Sequence, residues 1–136
     1  MTSSINADIA GRIESAREAQ GPCHHDGADL LEETKVYIGL NDMDTKRQRA
    51  ATDSYVSILK RICRSCGVSF SFSVVEGGYM HDDGEFTEEK SIVLSFIDVP
   101  QEVVDEVAKE ACVLFHQESV LVTVGRIYAR SIREAL

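Results

Sequence analysis

Three groups of residues in this sequence have the types and spacing to hold a charged ligand. At about 100° per residue, Lys46, Arg49, Lys60 and Arg64 would fall on one line of a single helix. Lys60 and Arg64 are four apart, so their heads repel unless an anion sits between them. Asn41-Asp42-Met43-Asp44-Thr45-Lys46 reads as a turn opening onto a helix N-terminus, where N–H groups and the helix dipole favour anions. Asp42 and Asp44 there could instead hold ribose hydroxyls, or the aspartates could simply cap the helix. In Arg126-Ile127-Tyr128-Ala129-Arg130 an extended chain projects both arginines and the tyrosine on one side, a ring for stacking between two guanidinium groups. Tyr79 and His81, at an expected hairpin tip, offer similar groups. Each set has a plainer alternative: a solvated helix face diluted by Asp53, a cap, an exposed edge.

Other chemistry finds less support. Cys63-Arg64-Ser65-Cys66 has metal-ligand spacing, and Cys23, His24 and His25 could complete a set of four. The pair closes a helix, however, with Cys66 expected on its buried face, so reduced thiols are the simpler reading and no metal or cofactor is expected. Of the histidines His24, His25, His81 and His116, none sits in a recognisable nucleophile–base motif. His116 reads as a helix C-terminal residue that suits the dipole. Glu88-Glu89 and Asp82-Asp83 read as solvated turn residues, and the expectation is a chain that binds without catalysing.

The elements that must position these groups follow from periodicity. Ile5, Ile9 and Ile13 predict a helix over 5–20, ended by Gly21-Pro22. From Lys35 the pattern is strand (Val36, Ile38 and Leu40 on one face), helix, strand, strand, helix, strand. Thr45 and Gln48 fit a capping box that would open the first core helix, with Ala51, Tyr55, Ile58, Ile62 and Cys66 inward. Val68–Val74 alternates apolar residues with serines, and Glu76-Gly77-Gly78 and Asp82-Asp83-Gly84 bracket a long hairpin tip before a strand from Ile92 to Ile97. Pro100 suits the first turn of the second helix, whose stripe is Val103, Val104, Val107, Ala111, Leu114 and Phe115. Val120–Val124 is the last strand. The fold class is therefore α+β: a β-α-β-β-α-β, ferredoxin-like antiparallel sheet with two helices on one face, plus an N-terminal helical extension. Residues 1–34 would form that extension and loop, and residues 35–136 one ligand-binding domain. The sheet's other face, apolar at Val93, Ile97 and Leu121, predicts self-association or cover by the N-terminal helix.

The bulk properties agree. A chain of 136 residues, 43% hydrophobic and 27% charged, supports one domain with its own core. A net charge of −9 excludes an ordinary duplex nucleic-acid binder and disfavours anionic membranes. No run is long enough to span a bilayer, the first eight residues lack the regions of a signal peptide, and four cysteines suit a reducing compartment, so a cytoplasmic location is expected.

The segment Val36-Tyr37-Ile38-Gly39-Leu40-Asn41-Asp42-Met43-Asp44-Thr45-Lys46-Arg47-Gln48, with Gln117-Glu118-Ser119-Val120, resembles small bacteriophage proteins of the first type of Thoeris anti-defence sponge. The resemblance spans about residues 35–130. It implies a non-catalytic protein of the host cytoplasm that sequesters cyclic ADP-ribose isomers, and in some members cyclic oligonucleotides. It also implies a homo-oligomer, dimer or higher up to a hexamer, holding ligand between subunits. On that reading Tyr37, Tyr79, Phe115 or Tyr128 stacks a base; Arg126, Arg130, Lys60 and Arg64 meet phosphates; Asn41 and Asp42 contact sugar hydroxyls. A small nucleotide-processing enzyme and a protein-interaction module are the alternatives.

Overall fold

The computed structural model describes residues 27–80 and 82–134. The expected helix over 5–20, Cys23, His24, His25 and His81 lie outside them. By contact, residues 30–127 form one compact unit, which holds nearly all of the described architecture.

Its elements are β1 (Asp29–Gly39), α1 (Thr52–Cys66), β2 (Ser71–Met80), β3 (Phe86–Ile97), α2 (Gln101–Leu114) and β4 (Leu121–Ala129). The sheet order is β2-β3-β1-β4, with β3 antiparallel to both β1 and β2. This is the split β-α-β arrangement expected from the sequence. Alternation in β1 sends Thr34, Val36, Ile38 and then Leu40 to full burial, opposite Phe96, Leu94 and Ile92 of β3. The helices close that face with Tyr55, Leu59, Ile62 and Cys63 from α1 and Val104, Val107, Ala108 and Ala111 from α2. Thr34, polar and buried, is satisfied by the Gln101 side-chain amide, which donates to its hydroxyl at 2.8 Å.

Several boundaries differ from the sequence reading. β1 starts at Asp29 rather than at Lys35, and its ladder with β3 runs back to Glu33↔Ile97. The hairpin is longer than expected: Gly77 and Gly78 are strand residues paired with Glu89 and Glu88, and the ladder runs out to Met80↔Phe86. In α1 the inward face carries Leu59 and Cys63, while Ile58 and Cys66 are half-buried, so the buried stripe is rotated from the expected one. Pro100 is the N-cap of α2 rather than its first helical residue.

The largest correction concerns residues 41–51. No helix opens at Thr45; α1 begins at Thr52 after Ala51, whose extended backbone carries no side-chain cap. A side chain wins the competition for these N–H groups. Asp42 Oδ1 accepts from the N–H of Asp44 (2.9 Å) and of Thr45 (3.0 Å), and Lys46 turns into the left-handed region at φ 61. The chain then doubles back, Asp42 N–H donating to Arg47 O and Asn41 bridging to Gln48. The expected capping pair is used locally: the Gln48 amide donates to Ala50 O and to Thr52 Oγ1. Lys46 and Arg49 therefore stand in a loop, and the four-residue cationic line on one helix does not exist.

The cysteines behave as thiols of the fold. Cys63 is fully buried and burial pushes its thiol up to about 11; Cys66 is half-buried and also shifted upward, chiefly by burial; Cys112 Sγ donates to Gln117 O at 3.1 Å. Phe115, expected as a stacking ring, is 3% exposed and packs edge-on against Tyr55 at 4.8 Å, so it belongs to the core.

Candidate functional site

Where β1 runs out, the chain passes through Asn41, which is held from several sides. Its N–H donates to Glu89 Oε2 at 3.1 Å, and its side-chain amide donates to Glu88 O at 3.3 Å. Its carbonyl accepts from the Gln117 side chain at 2.6 Å. Glu89, on β3, is thereby fixed with its carboxylate over Gly39, where any Cβ would stand 2.6 Å from Oε1. A glycine at the end of β1 is what lets this carboxylate lie against the backbone.

Behind Asn41 is a lock built on Asp42, 2% exposed. Its Oδ1 holds the 44–45 turn, and its Oδ2 takes His116 Nδ1 at 2.6 Å and Arg49 Nη1 at 3.1 Å. An ionised carboxylate only accepts, so the His116 proton in this bond sits on Nδ1 and Nε2 faces Asp44 Oδ2 at 3.5 Å. The Thr45 N–H is the largest cause holding the Asp42 carboxyl well below the usual carboxylate range, with His116, the Asp44 N–H and Arg49 adding and burial opposing. His116, at φ 51 past the end of α2, also accepts the Met43 N–H on its carbonyl. Asp42, Asp44 and His116 bring ligand atoms within 4.8 Å of one another, the kind of group that could hold a metal ion. A cation there would compete with the Arg49 guanidinium and with every donor already on Asp42, so the geometry reads as a tie between two loops.

Two grooves share Asn41 and Glu89. One, of about 480 Å3, is lined by Gln48, Glu76, Gly77, Gly78, Phe86, Glu88 and Lys90 as well. The other, of about 420 Å3, adds Asp42, Met43, Lys46, Asp83, Glu85, Glu118 and Gln117, among others. The first presents three carboxylates against one lysine, and the second is more acidic still. The sequence predicts an anion-capturing pocket at this end of the sheet; the structure assembles the opposite sign.

The expected site residues fall on several elements. Asn41, Asp42 and Lys46 reach the grooves, and Arg49 is spent on Asp42. Lys60 sits over the Phe72 ring at 5.5 Å, and Arg64 is exposed in the last turn of α1. Tyr37 is half-buried on the sheet face opposite the helices, beside Val93. Tyr79 lies on β2, Arg126 and Tyr128 lie exposed on β4, and Arg130 follows it. No motif in the sequence marks Glu89, Phe86 or the partnership of His116 with Asp42. Glu88-Glu89 resembles a turn until the pair is placed in a strand.

No protein-family model and no curated protein matches the chain. Solved structures do. A phage SAM lyase in complex with S-methyl-5'-thioadenosine shares 24% identity, with a TM-score of 0.53 over 76% of this chain and 91% of that one. The apo phage SAM lyase gives 23%, 0.55, 82% and 98%. A B. subtilis GlnK–ATP complex follows at 18%, 0.48, 72% and 82%. What the two SAM lyase likenesses establish is the fold, an α+β arrangement that the strand order makes ferredoxin-like. They also correct one expectation. A chain without catalysis follows only from the lack of a familiar motif, yet a solved neighbour on this fold is an enzyme, and motif absence does not exclude chemistry here. No described helix is long and apolar enough to cross a membrane.

Proposed function

We propose that this chain binds a sulfonium nucleoside of the S-adenosylmethionine class in the groove beside Glu89 and cleaves it to S-methyl-5'-thioadenosine. The observation that carries this reading is the charge pattern: Glu76, Glu88 and Glu89 with Lys90 line one cavity of about 480 Å3. S-adenosylmethionine carries a sulfonium, an ammonium and one carboxylate, a complement in kind to three carboxylates and one ammonium. The cavity volume lies within the range usual for small-ligand sites. The likeness to a phage SAM lyase supports the fold's capacity for such a ligand.

The chemistry asks little of the protein. When the bond between sulfur and the amino-acid Cγ breaks, its electron pair stays on sulfur and the leaving group is a neutral thioether. The substrate's own carboxylate can close on Cγ as a lactone, so no external proton, oxidant or co-reactant is consumed. Folding the substrate so that carboxylate and Cγ meet is the service required, and proximity alone can account for a large rate gain. Glu89, clamped by Asn41 over Gly39, would hold a cationic end of the substrate, and Lys90 its carboxylate.

The finer expectation of cyclic ADP-ribose or cyclic oligonucleotide capture rests on the sequence resemblance alone. Self-association remains part of the proposal, supported by Ile97 and Leu121, which stay more than half exposed on the sheet's outer face. Calorimetry with S-adenosylmethionine, S-adenosylhomocysteine and cyclic ADP-ribose separates the readings. The sulfonium is expected to bind at least about tenfold more tightly than the uncharged thioether, the order of one charge-assisted contact. Preferential binding of cyclic ADP-ribose would overturn the assignment.

A further inference from the structure

Past Ile92 and Val74 the hairpin face that the helices cover continues as Lys90, Glu88 and Phe86 opposite Glu76, Gly78 and Met80. Every one of these six is exposed. Phe86 stands out among them. It is 60% exposed, it lines the 480 Å3 cavity, and the far end of its ring rests directly on Gly78, where a Cβ would collide with it. The result is an aromatic ring laid against bare backbone at one end of a groove lined also by Glu76, Glu88 and Glu89.

We propose that Phe86 is the stacking platform for the purine of the ligand, with Gly78 leaving the room its ring needs to lie flat against the strand. This deepens the reading of the groove as a sulfonium-nucleoside site, on which it rests, by assigning its two ends: carboxylates for the cationic amino-acid end, Phe86 for the base. Stacking of a base on an aromatic side chain tolerates any purine and contributes substantially to binding. It adds equally to the ground state and the transition state, so its loss raises KM and leaves kcat nearly unchanged.

The experiment measures equilibrium binding of S-methyl-5'-thioadenosine, which carries the base but no sulfonium or amino acid. S-methylmethionine, a sulfonium amino acid without a base, serves as the counter-probe. Phe86→Leu is expected to weaken S-methyl-5'-thioadenosine roughly tenfold while leaving S-methylmethionine unchanged. Phe86→Tyr keeps the ring and is expected to bind both like the parent. Gly78→Ala, which displaces the ring without removing it, is expected to reproduce the Phe86→Leu loss. Unaltered binding of S-methyl-5'-thioadenosine to Phe86→Leu, equal loss of both probes, or no binding by the parent protein would overturn the assignment. Cleavage of S-adenosylmethionine is measured separately: turnover with an unaffected Phe86→Leu would leave the groove's function standing and remove only the platform.

Discussion

Glu89→Gln is expected to lower kcat/KM for S-adenosylmethionine by about 10- to 100-fold, and to do so through KM. The substitution keeps the size of the side chain and an oxygen that can still accept the Asn41 N–H, which Glu89 now receives at 3.1 Å. Only the charge is removed. A partly buried charge-assisted contact contributes about 1.5–3 kcal/mol, which sets the range. The reason for the split between constants is chemical. As the carbon–sulfur bond breaks the sulfonium becomes neutral, so a carboxylate facing it cannot favour the transition state over the bound substrate. Its contribution is to capture and orientation. Glu118→Gln, on the rim of the neighbouring groove, is expected to change kcat/KM by less than about threefold, as usual for exposed charges. Steady-state kinetics at several ionic strengths, with thermal melts as a folding control, decides it. Equal behaviour of the two variants would show that the groove beside Glu89 is not where substrate binds.

The second large effect belongs to Asp42. Asp42→Ala is expected to lower the melting temperature by more than ~5 °C, because it orphans two backbone N–H groups and the side chains of His116 and Arg49 at once. Activity should fall with it even below the melting range, since the loop it organises carries Asn41 and hence the Glu89 carboxylate. The pH dependence has a definite sign. The folded-state pKa of Asp42 is depressed below its ordinary 3.8, so its stabilising contribution is present above about pH 4 and is lost as pH falls from there. The parent protein should therefore show an acid limb in its melting temperature that Asp42→Asn shortens, while Asp42→Asn is already less stable at pH 7. Matching melting curves for parent and variant across pH 3–7 would remove Asp42 from this role.

How far the sequence could be read depends on which interactions decide each element. β1, α1 and α2 were legible because burial of Val36, Ile38, Val104 and Val107 imposes the period on the chain. The order of elements followed from those periods and from the turn residues between them. The 41–51 loop was not legible because its conformation is decided by one aspartate whose partners, His116 and Arg49, are 74 and seven residues away. Thr45 and Gln48 do carry a helix-opening signature, but the Asx turn takes the same N–H groups first. Glu88 and Glu89 look like solvated turn residues in one dimension. They become groove residues only once the ladder is known to run out to Met80↔Phe86. The cationic residues misled for the complementary reason. Spacing suggested a helical line, and half of it lies in the loop.

Whether the acidic groove takes a sulfonium nucleoside and breaks its carbon–sulfur bond can be read in a single assay. Purified protein is incubated with S-adenosylmethionine, beside the Glu89→Gln variant, and the small molecules are followed by mass spectrometry. The expected result is S-methyl-5'-thioadenosine accumulating over many turnovers, with a much slower rate for the variant at low substrate. S-adenosylmethionine recovered intact and unbound from the parent protein would contradict it.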